Sequence, residues 1–133
     1  MFKLDMKMKK SIIYIIGILL FSLFCLWKHN IPHQSIIGKY VNNNTDIVME
    51  GPQPIQNGQD TLILYDDFTF ESRTWGKGTY TYDSGFWQSE ICLRYDAYGG
   101  GKASYNSYVK KSTFGKIRIL LSMDYDFYFE KIE

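Results

Sequence analysis

The segment 116–132, KIRILLSMDYDFYFEKI, carries the pattern that decides the fold. Apolar and polar side chains alternate on both sides of the central pair Met123-Asp124, as they do in strands with one buried face. The apolar positions are Ile117, Ile119 and Leu121 before this pair, and Tyr125, Phe127 and Phe129 after it. The segment therefore predicts a closing hairpin in which residues 116–122 pair with residues 125–132.

Shorter runs with the same alternation fill the chain upstream, back to Ile36. They predict strands at residues 36–42, 46–50, 61–65, 68–74, 78–83, 89–95 and 104–111, separated by turns and by loops rich in Gly or Pro. No helix is expected among them. The predicted fold is all-β, a small antiparallel up-and-down β-barrel or barrel-like sandwich of eight to nine strands. The expected interior residues are Phe68, Phe70, Tyr80, Tyr82, Ile91, Leu93, Ile117, Ile119, Phe127 and Phe129.

Several of these strands contain short motifs, each different from the others. They are Gly38-Lys39-Tyr40, Asp66-Asp67-Phe68-Thr69-Phe70, Gly78-Thr79-Tyr80 and the closing Phe127-Tyr128-Phe129-Glu130-Lys131. Together, over about residues 36–132, they resemble the small lipocalin-like domains of bacterial envelope proteins. The resemblance implies an eight-stranded barrel that binds rather than catalyses. One departure is Phe68, because that family usually has a Gly turn after the Asp.

The barrel is preceded by residues 11–27, SIIYIIGILLFSLFCLW, which are apolar and uncharged. Residues 1–10 carry four Lys against one Asp and predict a cytoplasmic basic end under the positive-inside rule. The run is about 25 Å long as a helix, at the lower limit for a transmembrane segment. We therefore expect an anchor at 11–27, a solvated tether at 28–35 and an extracytoplasmic β-domain at 36–133, on the periplasmic or cell-surface side.

Three fates remain open for this apolar run. Bulky residues surround Cys25, which disfavours a signal-peptidase site and favours an uncleaved anchor. Cys25 is also a lipidation candidate, in a lipoprotein acylated at that residue, although Phe24 stands where lipoproteins usually have a small residue. A cleaved signal peptide is the third alternative.

Charge and residue spacing exclude several kinds of partner. Residues 28–133 hold eleven Lys or Arg and thirteen Asp or Glu, so the domain has no basic excess for nucleic acid. His29 and His33 are four residues apart, but Pro32 disfavours the helix that a metal site would need. The glycines at 99–101 precede a predicted strand, which disfavours a phosphate loop. No metal and no cofactor are expected.

Catalysis is not expected either. Both histidines lie in the tether, which leaves the domain without a Ser, His and Asp arrangement. Asp124 and Asp126 would face the same side of an extended segment, but charged residues at a hairpin turn explain them equally well. Cys92 has no nearby base and is predicted to be a half-buried strand residue.

The remaining candidates are aromatic residues near predicted turns, which are the kind that anchor protein interfaces. Trp75 is predicted on the outward face with Arg73, while Phe86, Trp87 and Tyr98 fall in loops beside glycines. These four are the predicted binding residues. The predicted function is a non-enzymatic, membrane-anchored binding module with a protein partner or a small hydrophobic ligand. An envelope immunity or inhibitor protein that binds a toxin is the alternative.

Overall fold

The alternating segments form eight antiparallel strands that close into one barrel, in a computed structural model that describes residues 6–42, 59–85, 87–97, 99–122, 124 and 126–133. Each strand pairs with the next, and the last pairs with the first. The predicted all-β barrel and its closing hairpin are confirmed. The elements are α1 (Met6–His29), α2 (His33–Ile36), β1 (Gly38–Asn42), β2 (Thr61–Leu64), β3 (Thr69–Ser72), β4 (Gly76–Ser84), β5 (Ser89–Asp96), β6 (Lys102–Lys111), β7 (Ile117–Ser122) and β8 (Phe127–Lys131).

The helix α1 is long and apolar enough to cross a membrane. Its window Lys9–Leu26 has 18 residues with a mean hydropathy of 1.9, and none of it is buried against the barrel. At about 1.5 Å per residue this window is about 27 Å long, close to the thickness of a bilayer's hydrocarbon core. The predicted anchor at 11–27 lies inside α1. The predicted strand at 46–50 lies outside the described residues.

The interior of the barrel is filled by large side chains from all eight strands. Eight of the ten predicted interior residues are buried, and Tyr82 is half-buried. The remaining one, Phe68, is 46% exposed, so its prediction was wrong. The fully buried side chains at the centre include Tyr40, Leu62, Leu64, Phe70, Tyr80, Ile91, Leu93, Ile119 and Phe129.

The Gly-x-Tyr motif has a packing reason in this barrel. A Cβ atom at Gly78 would overlap the backbone carbonyl oxygen of Arg94 and would lie 2.7 Å from the Phe70 ring. The glycine thus makes room for the neighbouring strand, and Tyr80, two residues further on, points to the same side and is buried. Gly38 in β1 has the same role, because its Cβ would overlap a carbonyl oxygen of the C-terminal residue.

The connections alternate between the two ends of the barrel. The start of β1 lies beside the end of β2 (Gly38 opposite Leu64), and the turns β2–β3, β4–β5 and β6–β7 lie at this same end. We call it the anchor end, because α1 and α2 lead into β1 there and the C-terminal residues 132–133 leave β8 there. The turns β3–β4, β5–β6 and β7–β8 lie at the opposite end, the far end.

The predicted tether at 28–35 is not solvated throughout, because Ile31, His33 and Ser35 pack onto the anchor end. Ile31 and Ile36 are 1% and 0% exposed. The Tyr82 hydroxyl donates a hydrogen bond to the Ile31 carbonyl, and the Tyr40 hydroxyl donates one to the Ile36 carbonyl, each at 2.5 Å. Isolated apolar residues in a polar stretch produce no periodicity, so the sequence pattern gave no sign of this packing.

The first strand also begins later than predicted. Ile36 belongs to α2, a single turn that starts after Pro32, and β1 begins at Gly38. Proline is well tolerated at the beginning of a helix, where its missing N–H has no helical partner to lose. The helix places Ile36 in the core and brings the linker onto the barrel. A strand that began at Ile36 would instead have left the linker in solvent.

At the far end, the carboxylate of Asp60 holds the turn between β3 and β4. Its Oδ1 accepts hydrogen bonds from the Thr61 and Arg73 backbone N–H groups at 2.7 and 3.1 Å. Its Oδ2 accepts from the Thr74 backbone N–H at 3.3 Å and from the Thr74 hydroxyl. Asp60 is 4% exposed. A buried carboxylate is stabilised by multiple donors of this kind, and here they fix the turn.

Candidate functional site

His33 connects the linker to the barrel through a chain of hydrogen bonds. Its Nε2 lies 2.9 Å from the Tyr80 hydroxyl oxygen, and that hydroxyl donates to the Tyr65 carbonyl at 2.7 Å. Because the single Tyr80 hydroxyl proton is used by Tyr65, Nε2 of His33 must carry a hydrogen and donate it. The imidazole also stacks on Phe68, with ring centroids 4.4 Å apart. His33 thus holds the linker against the anchor end of the barrel.

Phe68 lies in the turn between β2 and β3, where the predicted family resemblance would have a Gly. Its backbone N–H donates to the Tyr65 carbonyl at 3.3 Å, and its φ of 62° lies in the left-handed region. The preceding Asp67 accepts hydrogen bonds from the Thr69 hydroxyl at 2.5 Å and from the Thr69 N–H at 3.0 Å. These bonds, the hydroxyl one foremost, lower the pKa of Asp67. The alternation of apolar and polar residues predicted Phe68 in the core, because such a pattern does not show that a residue at the start of a strand has a left-handed backbone.

We expect Phe68→Gly to be more stable than Phe68→Ala by about 1 kcal/mol. Both variants lose the ring that stacks on His33. Only glycine relieves the left-handed backbone, whereas alanine keeps that strain. Denaturant unfolding of the full chain in detergent measures the difference. An alanine variant that is equal to or more stable than the glycine variant would contradict the assigned turn.

The buried tyrosines predict a loss of stability at alkaline pH. Burial, with the nearby charges of Asp66 and Asp67, raises the pKa of Tyr80 from 10.0 to about 12. Burial also raises the pKa of Tyr40. The unfolded chain therefore loses these protons first as the pH rises. The contribution of Tyr80 to stability is complete below pH 10 and is lost as the pH rises through about 12, and the contribution of Tyr40 is lost in the same direction.

The measurement is the unfolding free energy of the full chain between neutral pH and pH 12. Tyr80→Phe should be less stable than the wild type at neutral pH, since it loses the bond to the Tyr65 carbonyl. It should also fall less steeply above pH 10, since one titrating group is gone. Parallel curves for the two proteins would show that Tyr80 does not titrate differently in the folded state.

Trp75 was predicted to face outward, and that prediction was wrong. The side chain is 3% exposed and stacks on Tyr105, with ring centroids 5.1 Å apart. The strand β3 ends at Ser72, whose hydroxyl accepts a hydrogen bond from the Trp75 N–H at 3.0 Å. The turn interrupts the alternation of inward and outward residues. Extending the outward face of β3 from Arg73 to Trp75 therefore assigns Trp75 to the wrong face. Trp75 is a core residue of the far end, without the exposure that a binding residue needs.

Trp87, the other predicted binding residue that the structure describes, does not form a patch with Trp75. Trp87 is 79% exposed, as expected, but it lies in the β4–β5 turn at the anchor end, opposite the end that holds Trp75. Phe86 and Tyr98 lie outside the described residues. Cys25 lies within α1, where its thiol is free and partly exposed. Cys92 is a half-buried outward residue of β5, as predicted.

Two exposed apolar residues of the anchor end were missed by the sequence analysis. Phe114 lies in the β6–β7 turn and is 92% exposed, and Ile132 follows β8 and is 53% exposed. The sequence did contain a signal for Phe114, which stands in the turn segment Ser112-Thr113-Phe114-Gly115 between two strands. At this turn Phe114 lies outside both strands and its side chain is left exposed.

A shallow groove of about 390 Å³ crosses the outer surface of β4, β5 and β6 near the far end. We call it the outer groove. Gly78, Tyr95 and Ala103 lie opposite one another in register across these strands, and the Tyr95 side chain points inward, where it packs against Trp75. The residues that line it are Lys77, Gly78, Thr79, Arg94, Tyr95, Asp96, Lys102, Ala103 and Ser104.

The charges around the outer groove are mostly positive. The Lys102 ammonium pairs with the Asp96 carboxylate, and Lys77 lies 3.6 Å from Glu71. Arg94 is exposed and makes no ion pair with any carboxylate in the described part of the chain. A guanidinium can bind a carboxylate through two parallel hydrogen bonds. The groove is therefore suited to a carboxylate of another molecule.

The described residues contain no cluster of side chains suited to bind a metal ion. No three His, Cys, Asp or Glu residues there could hold a metal ion together. Asp124 and Asp126 lie in the β7–β8 turn, and Asp126 has a φ of 46°. The expected extended segment at these two residues was wrong. Comparisons with protein-family models, curated proteins and solved structures gave no match.

Proposed function

We propose that this protein is a membrane-anchored, non-enzymatic binding domain that engages a protein partner through its outer groove. The observation that carries the proposal is the filled interior. An eight-stranded barrel is just wide enough for its own side chains or for one small ligand. Here Tyr40, Phe70, Tyr80 and Phe129 occupy that space and are 0–2% exposed. Binding therefore falls to the outer surface.

The proposed location is the extracytoplasmic face of the membrane. α1 supplies a span of suitable length and polarity. The four lysines among residues 1–10 favour a cytoplasmic N-terminus, which leaves the barrel on the opposite side. A cysteine reagent that does not cross membranes, applied to intact cells carrying Asp124→Cys, should label the barrel. Labelling only after lysis would place the barrel in the cytoplasm and contradict this location.

The proposed partner is a protein that presents an acidic side chain to Arg94. The exposed side chains around the groove include the cations Lys77, Arg94 and Lys102. Arginine is enriched in protein interfaces, where its guanidinium can bind a carboxylate through two hydrogen bonds. An envelope inhibitor or immunity protein is one role of this class. A soluble acidic peptide is the alternative ligand with the same chemistry.

The test is site-specific photo-crosslinking in the native host. A photoreactive amino acid at Ser104, in the groove, should form one discrete crosslinked product with a protein. Arg94→Glu should weaken that product by about tenfold, equivalent to about 1.4 kcal/mol. The matched control Lys110→Glu reverses an exposed cation of β6 outside the groove and should leave the product unchanged. A product that is insensitive to Arg94→Glu, or no product at all, would contradict the proposal.

A second measurement separates this function from a lipocalin-like one. A small hydrophobic dye titrated into the full chain should show no saturable binding beyond that of the detergent. A packed interior leaves such a dye no site. Saturable binding that is abolished by enlarging an interior residue, as in Leu93→Phe, would favour a ligand-binding barrel instead.

A further inference from the structure

Among the described residues of the barrel, the exposed large apolar side chains lie at one end. Tyr65 and Phe68 in the β2–β3 turn are 41% and 46% exposed, and Trp87 in the β4–β5 turn is 79% exposed. Phe114 in the β6–β7 turn and Ile132 after β8 are 92% and 53% exposed. Within the described residues the far end has no exposed large apolar side chain. We call these five residues the apolar rim.

We propose that the apolar rim inserts into the interfacial layer of the bilayer that α1 crosses, so that the barrel stands on the membrane with its anchor end down. This inference rests on the proposed membrane anchoring. It adds a second, independent contact with lipid to that of the helix, and it commits to lipid as the occupant of the rim.

The length of chain between α1 and the barrel supports contact with lipid. The apolar window ends at Leu26, and Ile31 is already buried in the barrel. Three residues of helix and Asn30 separate Leu26 from Ile31, so the Cα atoms of Leu26 and Ile31 are at most about 12 Å apart. The headgroup layer on each side of a bilayer is about 5–8 Å thick. The anchor end therefore cannot leave the vicinity of the headgroups.

The chemistry of the rim fits that layer. Trp and Tyr concentrate at membrane interfaces because their rings are apolar while one edge hydrogen-bonds. Three separate turns each contribute an aromatic ring, which spreads the contact around the barrel end. If the anchor end stood free in water, the apolar rim would be exposed to solvent at a free-energy cost. Insertion into the interfacial layer removes that cost.

The charges of the anchor end are mixed, so attraction to anionic lipid is not the main contribution. Lys116 is paired with Glu130 at 2.6 Å. Lys131 donates to the Ser35 carbonyl at 2.9 Å, inside the linker contact. Asp66 and Asp67 are exposed beside Phe68. Contact with a zwitterionic bilayer through apolar and aromatic side chains is therefore the expected mode.

The insertion would also fix the direction of the outer groove. The groove lies toward the far end, on the strands that begin or end there. A barrel held at several points around one end cannot lean over about its short linker. Arg94 and its neighbours would stay directed away from the lipid, where a partner can reach them.

The test uses the full chain at one copy per nanodisc of phosphatidylcholine. The background carries Cys25→Ser and Cys92→Ser. An environment-sensitive fluorophore is attached at Thr113→Cys, next to Phe114, or at Asp124→Cys at the far end. We expect a blue-shifted emission at 113 that is quenched by a nitroxide placed near the lipid headgroups. The label at 124 should show neither effect.

The matched variant is Trp87→Ser combined with Phe114→Ser. Both side chains are exposed, so the near-ultraviolet circular dichroism of the folded barrel should be retained. The label at 113 should then lose most of its blue shift and quenching, which confirms that these rings make the contact. Equal emission from positions 113 and 124 in nanodisc-bound protein would overturn the inference while leaving the anchor intact.

Three further outcomes are also decisive. Protein that fails to remain with the nanodiscs would overturn both the anchor and the insertion. A blue shift that requires phosphatidylglycerol in the nanodisc would show that charge and not the apolar rim makes the contact. A blue shift that appears only with two copies per nanodisc would assign the rim to a second copy of the chain, against the proposal.

Discussion

Phe129→Ala should lower the free energy of unfolding by about 3–5 kcal/mol. Phe129 is 0% exposed on the closing strand β8, and its ring lies 6.0 Å from that of Trp75. Its truncation removes apolar burial and leaves a cavity that a closed barrel cannot collapse to fill. Because small domains are stable by only about 5–15 kcal/mol, the variant should be partly unfolded at physiological temperature.

The measurement is denaturant unfolding of the full chain in detergent, followed by near-ultraviolet circular dichroism. Phe114→Ala is the matched control, since Phe114 is 92% exposed and its truncation should change stability by no more than about 0.5 kcal/mol. The two phenylalanine variants should therefore behave in opposite ways, one affecting folding and the other membrane contact. A Phe129→Ala variant as stable as the control would contradict the filled interior.

Asp60→Ala should have an effect of similar size by a different route. The carboxylate accepts four hydrogen bonds, three from backbone N–H groups and one from the Thr74 hydroxyl. Hydrogen bonds to a charged group contribute about 1.5–3 kcal/mol each, and buried donors left without a partner cost more still. We expect a loss of about 3–5 kcal/mol, since water can reach some of these donors at the turn.

Asp60→Asn is the comparison that isolates the charge. Its Oδ1 can still accept from Thr61 and Arg73, while its amide nitrogen cannot accept from Thr74. Its stability should lie between the wild type and Asp60→Ala in the same unfolding measurement. If the asparagine variant matched the wild type, the Thr74 bonds would contribute nothing to the turn.

The barrel could be predicted because each strand carries its own alternation. Residues such as Ile117 and Phe129 are inside for a local reason, namely that side chains two apart point to the same face. That reasoning fails where a turn interrupts the count. Trp75 lies in the turn after β3. Phe68 has a left-handed backbone and stacks on His33, a contact between distant parts of the sequence that no local pattern contains.

The candidate site was less predictable than the fold, because it depends on which turns share an end. The aromatic residues 75 and 87 looked equivalent in the sequence, yet connections in an up-and-down barrel alternate between ends, which separates these two. The same rule places Trp87 and Phe114 together with the helix. The outer groove needed the register of three strands, which sequence periodicity does not supply.

The packed linker has a further consequence, for proteolytic separation of the barrel from α1. Proteases need several residues of accessible, extended chain. Here Ile31 and Ile36 are buried. Three hydrogen bonds hold this stretch of backbone on the barrel, and they are accepted by the carbonyls of Ile31, Ser35 and Ile36. Proteases should therefore cut the chain poorly at this junction. The amount of barrel would then follow the turnover of the whole chain.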